Sequence, residues 1–218
     1  MSDHAILRGR AAVLPLANLD TDQIMPKQFL RGIDKSGLAP GLFYDLRFEG
    51  AGQARPEFIL NQPAYASTNM LIAGPNYGCG SSREHAVWGM QQFGFTAVIA
   101  SSFGEIFYSN AMNNRLMLAV LREDEVQALM REAQASTGPL SVEIDVENLR
   151  VRSPGLSAAF TISERHRRMF LDGLDVIGAS LTYNTQIRQF ALQHWAAQPW
   201  LKDVAHITRK RLDTITCR

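Results

Sequence analysis

Apolar residues fall into short runs separated by glycine, proline and polar clusters, a spacing that predicts alternating strands and helices. Ala5-Ile6-Leu7-Arg8-Gly9-Arg10-Ala11-Ala12-Val13-Leu14 reads as an opening strand interrupted by a glycine. Met70-Leu71-Ile72-Ala73, Phe95-Thr96-Ala97-Val98-Ile99-Ala100 and Met117-Leu118-Ala119-Val120-Leu121 are apolar runs of strand length, as expected of buried strands. Ala86 to Phe93 reads as helix, and Ser101-Ser102-Phe103-Gly104-Glu105 opens another that carries Ile106, Phe107 and Met112. From Glu123 to Gln134, Val126, Leu129 and Met130 share one face with charges opposite, which predicts an amphipathic helix. Ser141-Val142-Glu143-Ile144-Asp145-Val146 alternates with period two and predicts a half-exposed strand.

Further β pieces are expected at Leu149-Arg150-Val151 and Phe160-Thr161-Ile162, and a short edge element at 56–62, between Pro56 and Pro63. Glu164 to Asp172 reads as a helix, and a final one runs roughly from Thr185 to Ala197. Helices and strands alternate in the middle and β-rich pieces flank it, so the predicted class is mixed α/β with layered sheets and flanking helices. Lys27 to Gly52 is irregular and rich in glycine; such a loop is a candidate lid or recognition loop, or else an ordinary surface excursion. The last residues, 202–218, are polar and predict a peripheral tail on a domain spanning 1–201.

Composition narrows the function classes. At 218 residues, 46% hydrophobic and 20% charged, the chain belongs with globular proteins rather than disordered ones. A net charge of +1 gives no long-range attraction for nucleic acid or anionic membrane. No apolar run approaches the roughly 18–20 residues of a membrane span, and Met1-Ser2-Asp3-His4 lacks the regions of a signal peptide, so a cytoplasmic protein is expected. Cys79 and Cys217 are the only cysteines, too few for a zinc ribbon or a cysteine-held iron–sulfur cluster. Any such cluster must be housed on another chain.

The richest chemistry lies at Asn76-Tyr77-Gly78-Cys79-Gly80-Ser81-Ser82-Arg83-Glu84-His85, between a strand and a helix. Glycine loops that lead into a helix N-terminus can gather backbone N–H groups on an anion. The stretch lacks the G-K-[ST] ending of a phosphate loop, the third glycine of a dinucleotide fingerprint and the second glycine of a nucleophile elbow. Two readings remain. Ser81-Ser82-Arg83-Glu84 satisfies S-x-x-E and would make a capping box, with Glu84 reaching back. That leaves Ser82 and Arg83 without a role, and an arginine beside the positive end of a helix invites a carboxylate or phosphate to complete the site. Upstream, Asn18, Asp20, Thr21 and Asp22 are turn and capping residues.

Tyr77-Gly78-Cys79-Gly80-Ser81-Ser82-Arg83-Glu84-His85-Ala86 resembles the signature of the aconitase superfamily's swivelling domain. Asp20-Thr21-Asp22-Gln23-Ile24-Met25-Pro26, Ile106-Phe107-Tyr108-Ser109-Asn110, His166 to Asp175 and Gln198-Pro199-Trp200-Leu201 are similar to small subunits of the isopropylmalate dehydratase family. The resemblance implies a swivelling β/β/α domain that closes over a [4Fe-4S] cluster held by a partner large subunit. It implies isomerisation of 2-isopropylmalate and 3-isopropylmalate by dehydration and rehydration, a step of leucine biosynthesis. By the same matching, Ser81 is the catalytic base and Ser82, Arg83 and Asp22 bind substrate. Arg31 is similar to a substrate-binding arginine and falls on the loop expected to read the side group. Ala86-Val87-Trp88-Gly89-Met90 departs from the family's usual continuation, which keeps open paralogous hydro-lyases for 2-methylmalate/citraconate, dimethylmalate or homoaconitate. A non-catalytic RNA-binding module is the alternative from another class, and the near-neutral charge opposes it.

Overall fold

The computed structural model describes residues 5–30 and 35–216. Strands β1 (Ile6–Leu14), β2 (Met70–Ala73), β3 (Ala97–Ala100), β4 (Met117–Val120), β5 (Leu140–Asp145), β6 (Arg150–Arg152) and β7 (Ser157–Ala159) join in one sheet. Their order is β4-β3-β2-β1-β5-β6-β7. β1 to β4 run parallel, with Val13 opposite Ile72 and Ile72 opposite Ile99; β5, β6 and β7 continue antiparallel, with Gly9 opposite Val142. The residue pattern explains the division. Every residue of β2 and β3 is buried, as parallel strands covered on both faces require. In β5, by contrast, Ser141 is exposed between buried Leu140 and Val142.

Helices α1 (Thr21–Ile24) and α2 (Tyr44–Arg47) are single turns inside the connection from β1 to β2. α3 (Glu84–Phe93), α4 (Glu105–Asn113) and α5 (Glu123–Ala135) follow β2, β3 and β4. α5 lies against β1, β2 and β3 through the face that carries Val126, Leu129 and Met130, the face marked by its periodicity. α6 (Glu164–Leu171) is capped by Ser163, whose Oγ accepts the His166 N–H at 3.2 Å.

Three local expectations are corrected. Residues 56–62 form no edge strand. Asn61 donates its amide to the Arg47 and Arg55 carbonyls and closes tight turns at Ile59–Asn61 and Pro63–Tyr65. The last strand is Ser157–Ala159 rather than 160–162. The Ser153 N–H bonds the Leu156 carbonyl at 2.9 Å, and that turn sets Ser157 opposite Arg152 and fixes the register. Finally, the terminal stretch is helical, as α9 below.

By compactness the chain divides into Met1–Val176 and Ile177–Arg218, a boundary upstream of the 201/202 division read from the sequence. The second unit comprises most of α7 (Val176–Leu181), with α8 (Asn184–Ala197), a turn at Pro199–Leu201 and α9 (Val204–Thr216). None of the helices in the described residues is long and apolar enough to cross a membrane.

Candidate active site

The parallel half of the sheet delivers three loops at the carboxyl ends of β1, β2 and β3, the edge where open α/β sheets place ligands. These loops keep the strand order beyond the sheet. Asp20 bridges Cys79 in parallel fashion, and Tyr77 bridges Phe103. Gly78 N donates to the Leu19 carbonyl at 2.7 Å, Thr21 N to the Cys79 carbonyl at 2.9 Å, and Gly104 N to the Tyr77 carbonyl at 2.9 Å. Residues some sixty positions apart are thereby locked side by side.

Tyr77 anchors the middle loop. Its ring is fully buried, edge-on to Phe103 and Phe107, and its hydroxyl meets the Met90 sulfur at 3.4 Å. Burial pushes the phenol well above its ordinary range, so it stays neutral and serves packing. Gly78 follows in the left-handed region (φ 73°), where a Cβ would fall 2.3 Å from the Phe107 ring. Only glycine satisfies both the conformation and the contact. The glycine turn lifts Cys79 to Ser82 off the core. Ser81 and Ser82 are exposed, and α3 begins two residues beyond Ser82, so its positive end adjoins them.

The sequence expected Ser81, Ser82, Arg83 and Asp22 in one site, and the fold brings them to one edge. Ser81 Oγ lies 3.2 Å from Thr21 Oγ1, and Thr21 Oγ1 also donates to the Ser81 carbonyl at 2.9 Å. The Arg83 guanidinium pairs with the Asp22 carboxylate through Nη1 and Oδ1. Asp22 is raised on α1, which is capped by Asp20: its carboxylate accepts Gln23 N–H at 2.7 Å while Gln23 Oε1 accepts Asp20 N–H at 3.0 Å. Arg31 lies outside the described residues.

The capping box belongs to α1 and not to α3. Arg83 occupies the N-cap of α3 without a side-chain cap, and Glu84 is already helical. The Glu84 carboxylate instead accepts the Asn114 amide at 2.6 Å. Asn114, at the end of α4, also donates to the Asn110 carbonyl at 2.9 Å and accepts Trp88 Nε1–H at 3.1 Å and Lys35 Nζ at 3.2 Å, while Lys35 stands 4.8 Å over the Trp88 ring. Sequence reasoning missed Thr21 and Asn114. Thr21 carried a signal in its place between two acids; Asn114 carried none, since its partners come from three separate segments.

The arrangement offers a hydroxyl on an exposed loop, a second serine beside it and a guanidinium fixed by one carboxylate. A guanidinium has five N–H donors, so Asp22 occupies part of its fork and leaves geometry for a second carboxylate. The same residues do not fit an iron–sulfur cluster. Among the described residues no three His, Cys, Asp or Glu side chains converge as metal ligands, and the Cys79 thiol donates to the Asn18 carbonyl at 3.3 Å.

Comparison with known proteins follows this geometry. Residues 1–123, which include all three loops, match the aconitase C-terminal domain family. The 3-isopropylmalate dehydratase small subunit 1 of Chromobacterium violaceum is 59% identical over 97% of this chain and 100% of its own length. The 3-isopropylmalate dehydratase small subunit 2 of Salmonella typhimurium is 42% identical over 90% of this chain and 94% of its own. The crystal structure of the 3-isopropylmalate dehydratase of Methanocaldococcus jannaschii superposes with a TM-score of 0.60 at 27% identity, covering 84% of this chain and 98% of that one.

Proposed function

The chain belongs to the aconitase C-terminal domain family, and from that premise we propose that it is the small subunit of a 3-isopropylmalate dehydratase, a hydro-lyase of leucine biosynthesis. The observation that carries the reading is the convergence of Ser81, Arg83 and Asp22 at the carboxyl edge of β1 and β2, in a chain whose relatives bear that name over nearly its whole length.

The large subunit is the partner. Among the described residues none converge as ligands for a cluster, so we assign the [4Fe-4S] group expected of the family to that partner, with this chain on the proton-handling side of the reaction. Arg83, held by Asp22, binds a substrate carboxylate through the remaining edge of its fork, and the Ser82 hydroxyl adds a donor. As the alkoxide, its own proton having passed to solvent, Ser81 Oγ takes the proton from the carbon next to that carboxylate. The electron pair left there forms the double bond as the hydroxyl departs from the neighbouring carbon, a departure the partner's cluster would assist as a Lewis acid. The same hydroxyl returns the proton on rehydration. A serine alkoxide needs stabilisation at neutral pH, and the adjoining positive end of α3 and the Arg83 cation supply part of it. Arg31 is the candidate that reads the substrate's side group. The assembly works in the cytoplasm.

Ser81→Ala, assayed with the large subunit and 3-isopropylmalate, is expected to lower kcat by about 10³-fold, with KM changed by no more than a few fold. A near-normal rate would remove Ser81 from the chemistry and reduce it to a loop residue.

A further inference from the structure

We propose that Thr21 is a positioning residue for Ser81: its buried hydroxyl accepts the Ser81 hydrogen bond in the resting enzyme and turns to stabilise the Ser81 oxyanion once that proton has passed to solvent. The proposal rests on the reading of Ser81 as the base.

Thr21 is 1% exposed, and its N–H is used by the Cys79 carbonyl at 2.9 Å. Its Oγ1 lies 2.9 Å from the Ser81 carbonyl and 3.2 Å from Ser81 Oγ. A carbonyl can only accept, so the single Thr21 proton goes to it. The contact between the two hydroxyls is then satisfied only if Ser81 donates to Thr21. In the resting, protonated form Ser81 therefore points its hydrogen towards α1.

Ser81 is exposed and gives its proton to solvent on ionisation, after which it has nothing to donate. Thr21 then rotates its own proton from the Ser81 carbonyl to Ser81 Oγ, and a neutral contact becomes a charge-assisted hydrogen bond. Thr21 keeps its proton throughout, and no bond is made or broken at it. The carbonyl it leaves is not orphaned, because the Arg83 N–H also donates to it at 2.9 Å. That second donor lets the hydroxyl switch without stranding the carbonyl. A hydroxyl fixed beforehand in a buried position needs no solvent reorganisation to act, which is where such donors have their largest effect.

The test uses the assembled two-subunit enzyme turning over 3-isopropylmalate. Thr21→Val keeps the branched shape and removes the donor; Thr21→Ser keeps the donor and removes the methyl. Thr21→Val is expected to lower kcat about 100-fold with KM within about threefold, and to move the acidic limb of the kcat–pH profile to higher pH. Thr21→Ser should recover kcat to within a few fold of the parent. In the Ser81→Ala background, Thr21→Val should slow the reaction no further. If Thr21→Val keeps the parental kcat while Ser81→Ala is inactive, the Thr21 inference fails and the base assignment stands. A near-normal Ser81→Ala instead overturns the base assignment itself. Equal losses in the valine and serine variants would mark a packing role and also overturn the inference. Where the valine chain does not fold, Thr21→Cys provides a weak donor of similar bulk, and a kcat equal to that of Thr21→Ser counts against the proposal.

Discussion

Ser81 and Arg83 are two positions apart, yet each is held by a different residue of the β1 loop: Thr21 takes Ser81 and Asp22 takes Arg83. Neighbouring residues on one short helical turn thus hold nearby side chains of another loop. A similar economy appears at Asp145, which is 3% exposed at the end of β5. Burial opposes its ionised form. Hydrogen bonds from the Asn148 side chain and N–H and from Arg152, together with the Arg152 charge, outweigh that and hold the carboxyl below its ordinary range. A carboxyl depressed in the folded state binds protons more readily once unfolded, so folding stability rises with pH through that window. The contribution is complete above the unfolded value, about 3.9, and is lost as pH falls through the folded one. Asp145→Ala should therefore melt at lower temperature at pH 7 and show a shallower loss of stability below about pH 4 than the parent. Parallel acid profiles for the two chains would show that Asp145 is not a source of the acid sensitivity.

Helix α3 is fixed at its start by a neighbouring helix rather than by its own cap. Glu84 and Trp88, one turn apart, both bind the Asn114 side chain at the end of α4, and Lys35 joins from the glycine-rich loop. Asn114→Ala leaves the Glu84 carboxylate and the Trp88 indole without that partner, at a cost of about 1–3 kcal/mol. At roughly 2–4 °C per kcal/mol for a chain of this size, thermal denaturation should register a clear drop in Tm, and kcat should fall because Ser81 and Arg83 precede this helix. An unchanged Tm would mean that the packing of α3 alone sets its start. The S-x-x-E spacing made Ser81 and Glu84 look like partners, because local spacing is all that a sequence displays. The strands β2, β3 and β4 were legible since continuous apolar runs mark buried strands directly. The edge element at 56–62 was not, since two prolines and Asn61 favour turns that only Arg47 and Arg55 complete. Motif nominated Asp22, Ser81 and Arg83 separately, whereas the contacts of Asp22 with Arg83 and of Thr21 with Ser81 join segments some sixty residues apart and became visible only in the fold.

For the whole molecule, every buried side chain among the described residues lies between Ala5 and Phe170. The unit Ile177–Arg218 contributes none, although Ile187, Phe190, Leu192 and Trp200 are large and apolar. Ending the chain after Val176 should leave a cooperative thermal transition within a few degrees of the parent, since apolar burial dominates stability. A loss of cooperativity would show that the terminal helices contribute to the fold beyond their own packing. The parallel pairing of β1 with β2 imposes a connection from Pro15 to Asn69, because parallel neighbours cannot be joined by a hairpin. Closing a flexible loop costs only about 0.6 kcal/mol more for each doubling of its length. This connection is not a free loop, because Leu38, Leu42, Phe43 and Leu60 are buried in the core, and the bridge from Asp20 to Cys79 keeps Thr21 and Ser81 in register. An exchange of exposed residues in that excursion leaves buried Leu42 and Phe43 and the bridge from Asp20 to Cys79 in place, so its surface can be rewritten without unseating the loop that carries Ser81.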